Sequence, residues 1–586
     1  MFLGSFALYL STAAPTVTFW DSGELVAASY TLGISHQPGY PFFCIAGKLF
    51  SFIPLGNIAY RLNLLSAVFS SLTVTVVYFT ILDILRGHDG VCVYNTLPPP
   101  PCSGAPHLSI FRGFAALRWP IKGGGIYEAS SAKHDILPIA IAALLALVLS
   151  VVRSFWSEAV VTEVYALNAF FVSVLVMLYV KARSGSLSAA RYIALSGFLF
   201  GLGLVNHESL ILYLPALILT WALVPGGPRL EWTVAAFVFL ALGLSVYAYL
   251  PIRSLAGPGL NIGHPDTPSN FWWTIKWGEY LRHAGGYPAS ALALLTKARI
   301  GDPRLVLGFV AAAFFVWRLL KSNLRLHLPL VVYLAVYTAG ISAQVLGGAE
   351  EAKFGLAAKF FIPSFILVVI LIGAAAGMTS ASRGGRRAGA GFAVVLGLAV
   401  AVLASRNYFS NNYSRNYMAY DYAGNSLKSA GERGVLFTWG DNGVFPLWYL
   451  QTVERYRDDV VLIHVPLMTY DWYLRDVDRE LGSTVGFMDT YFLGENVFRV
   501  LKAARPDRTV AYDYSSTHFL KLDMSKLGVR GLVYFEGAAP PGDPWPSYIF
   551  RGVGDRGVFK GGMEKNITAI YVYLVRASGK TTLPWH

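Results

Sequence analysis

Cysteine is nearly missing from this chain: Cys44, Cys92 and Cys102 are the only three in 586 residues, which argues against a disulfide framework. Charge is scarce too. Asp, Glu, Lys and Arg make up 14% of the residues, against about 25% in an ordinary soluble domain. Hydrophobic residues are 55% and the mean hydropathy is +0.49. A soluble core does not need apolar runs repeated along most of a chain, so a bilayer is the better solvent for them. No internal repeat at roughly 20–50 residues is visible, which argues against a solenoid. The apolar part also lacks a phosphate-cradling Gly-rich loop, a nucleotide-binding pattern and a Ser/His/Asp series, so a nucleotide-activated donor is disfavoured.

What is present are apolar runs that predict about eleven membrane spans: 1–14, 60–85, 136–152, 159–180, 191–206, 209–224, 232–250, 304–320, 328–346, 358–377 and 389–405. Several are shorter than the roughly 20 residues that cross a hydrocarbon core, so some pairs are read as broken or half-length helices. Basic residues set the orientation. With a cytoplasmic N-terminus, the inner loops carry Arg86, Arg112, Arg118, Lys122 and Lys133, then Lys181, Arg183 and Arg191, then Arg229, Arg318, Lys321, Arg325, Arg383, Arg386 and Arg387. The short outer connections hold "RSFWSE", "NHES" and "GGAEEAKFG". The formal charge of +13 is thus a topology signal, and no nucleic-acid partner is expected.

The fold class expected is a polytopic α-helical membrane protein with a C-terminal extracytoplasmic α/β domain: a transmembrane domain over 1–405 and the soluble domain over 406–586. In the latter, "GVLFTWGDNGVFPLWYLQTVERYRDDVVLIHVPL" reads strand, turn, helix, strand, and "RTVAYDY" and "RGLVYF" read as further strands of a partly parallel sheet. The first span is short. A signal peptide with "STAAPT" as cleavage region is one reading, and a membrane helix is preferred because no basic stretch precedes it. The Gly/Pro-rich loop 86–135 is read as a flexible cytoplasmic insert. Its His88, Cys92, Cys102 and His107 match no common zinc spacing, so no metal site is assigned there.

The stretch "TFWDSGELVAASYTLGISHQPGYPFF", residues 18–43, places Asp21, Glu24 and His36 just beyond the first span. Arg153, Glu158, Glu163, His207, Glu208 and Arg253 fall near the same outer plane when the spans are counted through. Ionisable groups at such a depth are costly and tend to mark function, although short outer loops must hold something polar. Glu158 and Glu163 are five residues apart, about 140° around a helix, and are not expected to share a task. "DSGE" is open to two readings, a capping box at a helix start and a reactive carboxylate pair. "HQPGYP" is a rigid turn, with His36 either a phosphate ligand or a turn cap. Segment 41–56 reads as lying in the membrane interface. The aromatic loop 251–303 reads as an interfacial anchor, with Arg253 and either Lys276 or Arg282 as a clamp on a lipid-linked phosphate.

This layout suits group transfer from a lipid carrier: Asp21 as general base toward an acceptor hydroxyl, Arg253 or His36 on the departing phosphate. The quoted stretch and "RLNLLSAVFSS" after it resemble the opening blocks of the family labelled domain of unknown function 2723. "FWSEAVVTEVYALNAFF", "GLGLVNHESLILYLPAL", "YLPIRS", "GDNGVFPLWYLQTVERYRDDVVLI" and "YDWYL" resemble its later blocks in order. That family is similar to a vertebrate transmembrane protein O-mannosyltransferase and is grouped with the GT-C glycosyltransferases. The resemblance implies a polyprenyl-phosphate donor and an acidic residue of the first outer loop as base, hence Asp21 with Glu24 beside it. His36, Glu163, His207, Arg253 and Arg153 are the candidates for donor phosphate or substrate binding.

The expected function is therefore a membrane glycosyltransferase moving a sugar, with mannose the one the resemblance suggests, from a polyprenyl phosphate to a protein or glycan hydroxyl. Its partners are the lipid-linked donor, that acceptor and membrane lipid. No cofactor is expected, because no Asp-x-Asp pair stands in the outer loops; a divalent-metal version stays open. The alternative is a transporter or flippase of a lipid-linked saccharide, which calls for polar midplane residues and related halves. The expected location is a bacterial inner membrane, with the active site facing the periplasm or exterior.

Overall fold

The computed structural model describes residues 1–89, 136–225, 229–276, 316–347, 358–380, 383–482, 493–504, 508–536 and 539–585. Among them, seven helices are long and apolar enough to cross a bilayer: Ile58–Arg86, Tyr165–Arg183, Ala189–Asn206, Leu230–Leu255, Leu324–Ser342, Ala358–Gly377 and Gly385–Asn411. Ile136–Val151 and Arg153–Ala159 together make an eighth candidate, bent by 71°. These coincide with eight of the eleven expected runs. Two others appear as the shorter helices Phe2–Thr12 and Glu208–Leu223. Eleven residues at 1.5 Å rise give about 16 Å, half of a hydrocarbon core of about 30 Å, so among the described residues seven or eight full spans stand beside shorter helices and the count of about eleven is not confirmed. Most of the expected span 304–320 lies outside the described residues, as do most of the insert 86–135, Trp277, Arg282 and the "GGAEEAKFG" loop.

Tyr165–Arg183 is the most enclosed of these helices, and Gly385–Asn411 and Leu230–Leu255 the least. The apolar faces of the last two are therefore left for lipid. Small residues set the closest approach: a Cβ on Gly201 would lie 2.5 Å from the Leu240 carbonyl oxygen of the neighbouring helix.

Beyond Asn411 the chain forms the α/β domain. Its sheet has the order β2-β1-β3-β5-β4, with β1 Val435–Thr438, β2 Val461–His464, β3 Val510–Asp513, β4 Leu527–Arg530 and β5 Val533–Glu536. β1 runs parallel to β2 and β3, whereas β5 is antiparallel to β3 and β4. Strands β1 to β3 are buried at every position, as parallel strands covered on both faces must be. The helix Asp441–Thr452, which follows β1, packs directly on the helix Ser22–Thr31 that follows the connection after Phe2–Thr12. The soluble domain and the segment holding Asp21, Glu24 and His36 therefore lie on the same face of the protein.

Candidate active site

The first connection is built around its anchors. The Asn63 side-chain amide donates to the carbonyls of Ala14 (2.8 Å) and Thr16 (3.2 Å), and its oxygen accepts from the Thr162 hydroxyl at 2.6 Å. The Ala14 N–H donates to the Val160 carbonyl at 2.9 Å. Residues 13–18 are thereby tied to the break at 160–164, where the chain leaves the helix Arg153–Ala159 and starts the helix Tyr165–Arg183. Next comes Trp20 with φ 67°, left-handed backbone that a bulky residue rarely adopts. Its N–H donates to Asn442 Oδ1 of the α/β domain at 2.7 Å. Gly23 is required one turn later, because a Cβ there would sit 2.4 Å from the Phe445 carbonyl oxygen.

Asp21 directly precedes the helix Ser22–Thr31 and makes no side-chain cap to it. The capping-box reading is overturned, for Glu24 points elsewhere. Its carboxylate accepts from the His36 backbone N–H and, at 2.6 Å, meets His36 Nδ1. Glu24 is wholly buried and the His36 side chain nearly so. Burial by itself would lower the His36 pKa, but the charges of Glu24, Asp21 and Asp441 push it up to about 10. His36 is therefore a cation that locks the turn 33–40 onto Glu24, with its ring stacked on Phe445 (6.2 Å, 15°). Asp21, half-buried, has no hydrogen-bond or ion-pair partner among the described residues.

Beside it lies a cavity of about 660 Å³, lined among others by Trp20, Arg153, Glu158, Glu163, Lys359 and Glu564. Glu158 and Glu163 thus do face one space. The expectation that they diverge assumed a continuous helix, and the helix ends at Ala159 between them. Glu163 Oε1 is 3.5 Å from Lys359 Nζ, while Glu163 Oε2 and Glu158 Oε2 are buried without a partner. The Asp21 charge acts on Glu158, Glu163 and Lys359, which places it within electrostatic reach of all three. Arg153 stands exposed at the rim, its guanidinium 5.7 Å from the Phe559 ring.

Of the expected residues, Arg153 and Glu163 line the cavity, Asp21 adjoins it next to the lining residue Trp20, and Glu24, His36, Arg253 and His207 do not line it. Arg253 donates from Nε to the Leu32 carbonyl (2.8 Å) and from a terminal nitrogen to that of Thr31 (3.3 Å), so it ties down the end of the helix Ser22–Thr31. His207 is buried, accepts the Ser209 N–H at 3.2 Å and lies against Tyr165 (5.3 Å) and Tyr40 (6.3 Å), with His36 on the far side of Tyr40 at 5.1 Å. Lys276 sits over the Trp272 ring at 5.4 Å. Among the described residues no three His, Cys, Asp or Glu side chains come together as a metal-ligand set. Lys359, Asn63, Asn442 and Phe445 are the contributors that sequence reasoning missed.

Fold and cavity together define a polytopic membrane protein with an acidic, partly unpaired cavity roofed by an α/β domain. Comparison with known proteins adds similarities. Residues 21–97 and 109–224 match the family model described as Protein O-mannosyl-transferase TMEM260 N-terminal domain, and residues 419–485 match TMEM260-associated domain 2. The chain is similar to mouse Protein O-mannosyl-transferase TMEM260, 24% identical over 551 residues, which is 89% of this chain and 70% of that protein. It is 30% identical over 91 residues to the Dictyostelium discoideum protein of the same name, covering 15% of this chain and 11% of the other. These matches carry the TMEM260 description and not the label domain of unknown function 2723. Both relatives are eukaryotic and lend no support to a bacterial inner membrane.

Proposed function

We propose that the protein is a membrane glycosyltransferase of GT-C type that mannosylates protein hydroxyls from a polyprenyl-phosphate donor, on the side of the membrane where its α/β domain lies. The observation that carries this reading is Asp21: a carboxylate whose side chain has no partner among the described residues, next to a cavity that also holds the cations Arg153 and Lys359. The similarity to proteins named as protein O-mannosyl-transferases supports the same class. Asp21 takes the proton of the acceptor hydroxyl as its oxygen bonds to the anomeric carbon. The bond from that carbon to the phosphate oxygen breaks, and the phosphate leaves with the electron pair on its lipid. Arg153 at the rim and Lys359 inside are placed to offset the charge on the departing phosphate. Glu24 and His36, already committed to one another, hold the loop that carries Asp21.

The test is purified protein with radiolabelled polyprenyl-phosphate mannose, wild type against Asp21→Asn, reading label on protein acceptor and as free mannose. Transfer that survives the substitution removes Asp21 as base. Donor movement across vesicles without any transfer makes the protein a transporter instead.

A further inference from the structure

A second cavity, of about 790 Å³, opens in the α/β domain. That volume lies within the roughly 300–1,000 Å³ of small-ligand sites. Its position follows from the strand order. β1 pairs in parallel with β2 on one edge and with β3 on the other, so the winding reverses between β1 and β3. Open α/β sheets bind ligands outside the carboxyl ends of the strands at such a point. Here Trp439, Gly440 and Asn442 follow β1 into the cavity, and Tyr514 and Ser515 follow β3.

Three features narrow the occupant. The exposed large apolar side chains among the described residues of this domain are Trp439, Phe519, Ile549 and Tyr573, about 40–48% exposed, and all but Ile549 line this cavity. Trp439 and Phe519 stack at 5.3 Å and 26°. Such a clustered aromatic patch marks a binding surface. Secondly, the lining contains no Asp, Glu, Lys or Arg, whereas an anionic lipid headgroup calls for basic residues. Thirdly, the cleft adjoins the candidate active-site cavity: Met563 and Asn566 line both, and Asn442 lines the cleft while holding the Trp20 N–H.

We infer that this cleft seats the acceptor polypeptide, a segment with an apolar or aromatic side chain against Trp439 and Phe519 and its backbone amides against Asn442 and Asn566. The segment then presents its Ser or Thr hydroxyl across the shared wall toward Asp21. The inference rests on the transferase reading above.

The probes are fluorescein-labelled peptides with one threonine flanked either by phenylalanine or by alanine, added to the full-length protein in detergent. The phenylalanine peptides bind more tightly. Trp439→Ala and Phe519→Ala each weaken that binding about tenfold and raise the KM for peptide transfer alike. Both leave kcat and the release of mannose to water unchanged. Both side chains are partly at the surface, and thermal melts identify whichever variant is folded. Equal binding of the two peptide types, binding that neither variant alters, or variants that lose affinity only for phosphatidylcholine–phosphatidylserine vesicles would each overturn the inference. A wild type that neither transfers nor hydrolyses the donor removes the transferase reading, and the binding measurement still decides whether the cleft takes peptide.

Discussion

The α/β domain and the candidate active-site cavity treat their acidic residues in opposite ways. In the domain, buried Asp421 accepts from the Arg551 backbone N–H at 2.8 Å and from its guanidinium at 2.6 Å. Asp459 takes two guanidinium nitrogens of Arg457, at 2.6 and 2.9 Å, and the Arg433 N–H. At the cavity, Glu158 and Glu163 each keep one oxygen buried and unpartnered, and the Asp21 side chain has no hydrogen bond or ion pair among the described residues. A buried carboxylate without a partner destabilises a fold, and pairing relieves it. The first pattern is what stability asks for. The second runs against stability and marks a place where the groups are kept ready for something else.

Removing Asp21's charge should produce the largest effect of all. Asp21→Asn is expected to lower transfer by about 10²–10⁴-fold, the range of a positioned general base, with an unchanged melting temperature because no folded-state bond is lost. Activity and melting measured on one preparation check it; a variant that melts early and keeps its turnover would put Asp21 with the domain's structural acids.

Glu24 and His36 lie beside Asp21 in the chain but behave like the domain's pairs, and pH exposes that. A histidine whose folded pKa is about 10, above its ordinary 6.5, contributes stability that is complete below pH 6.5 and is lost as pH climbs through 10. The wild-type protein should therefore lose stability across that window, by on the order of 1 kcal/mol per pH unit. His36→Gln should be less stable near neutrality and nearly flat over the same range, in denaturation midpoints taken between pH 6 and 10. Next comes Arg551→Ala, which leaves Asp421 buried and unpaired. It should lower stability by about 2 kcal/mol, the scale of a hydrogen bond to a charged group, while activity per folded molecule stays at the wild-type level.

The membrane helices were legible in the sequence because bilayer thickness fixes the length of an apolar run, and strands β1, β2, β3 and β5 because their β-rich runs are bounded by turn residues. Counting spans put Asp21, Glu158 and Glu163 in neighbouring connections, but the meeting of the two glutamates in one cavity beside Asp21 was not legible. The break between Glu158 and Glu163 falls in "AVVTE", with no Gly or Pro to announce it, and is held by Asn63 and Ala14 from far away in the chain. Lys359 reads as the edge of an apolar run until the fold sets it against Glu163. Arg253 misleads in the other direction: a cation in a polar loop looks like a ligand for phosphate, and here two backbone carbonyls take it.

Asn442 is where the two regions of the comparison meet, and it gives the smallest and most specific prediction. The residue belongs to the α/β domain, 422 positions from Trp20, yet its oxygen holds the N–H of the residue before Asp21. Trp20 is left-handed at φ 67°, a conformation that persists only where the surroundings impose it. Released from Asn442, Trp20 can relax toward ordinary backbone, and Asp21 swings with it. Asn442→Ala should then lower kcat about tenfold, the cost of a small misplacement of a reacting group, with the KM for the lipid donor unchanged. Asn442→Asp keeps the accepting oxygen and should recover most of the loss. If both substitutions instead lower the melting temperature and leave kcat alone, the α/β domain is only a roof, and the backbone at Asp21 is set entirely from the membrane side.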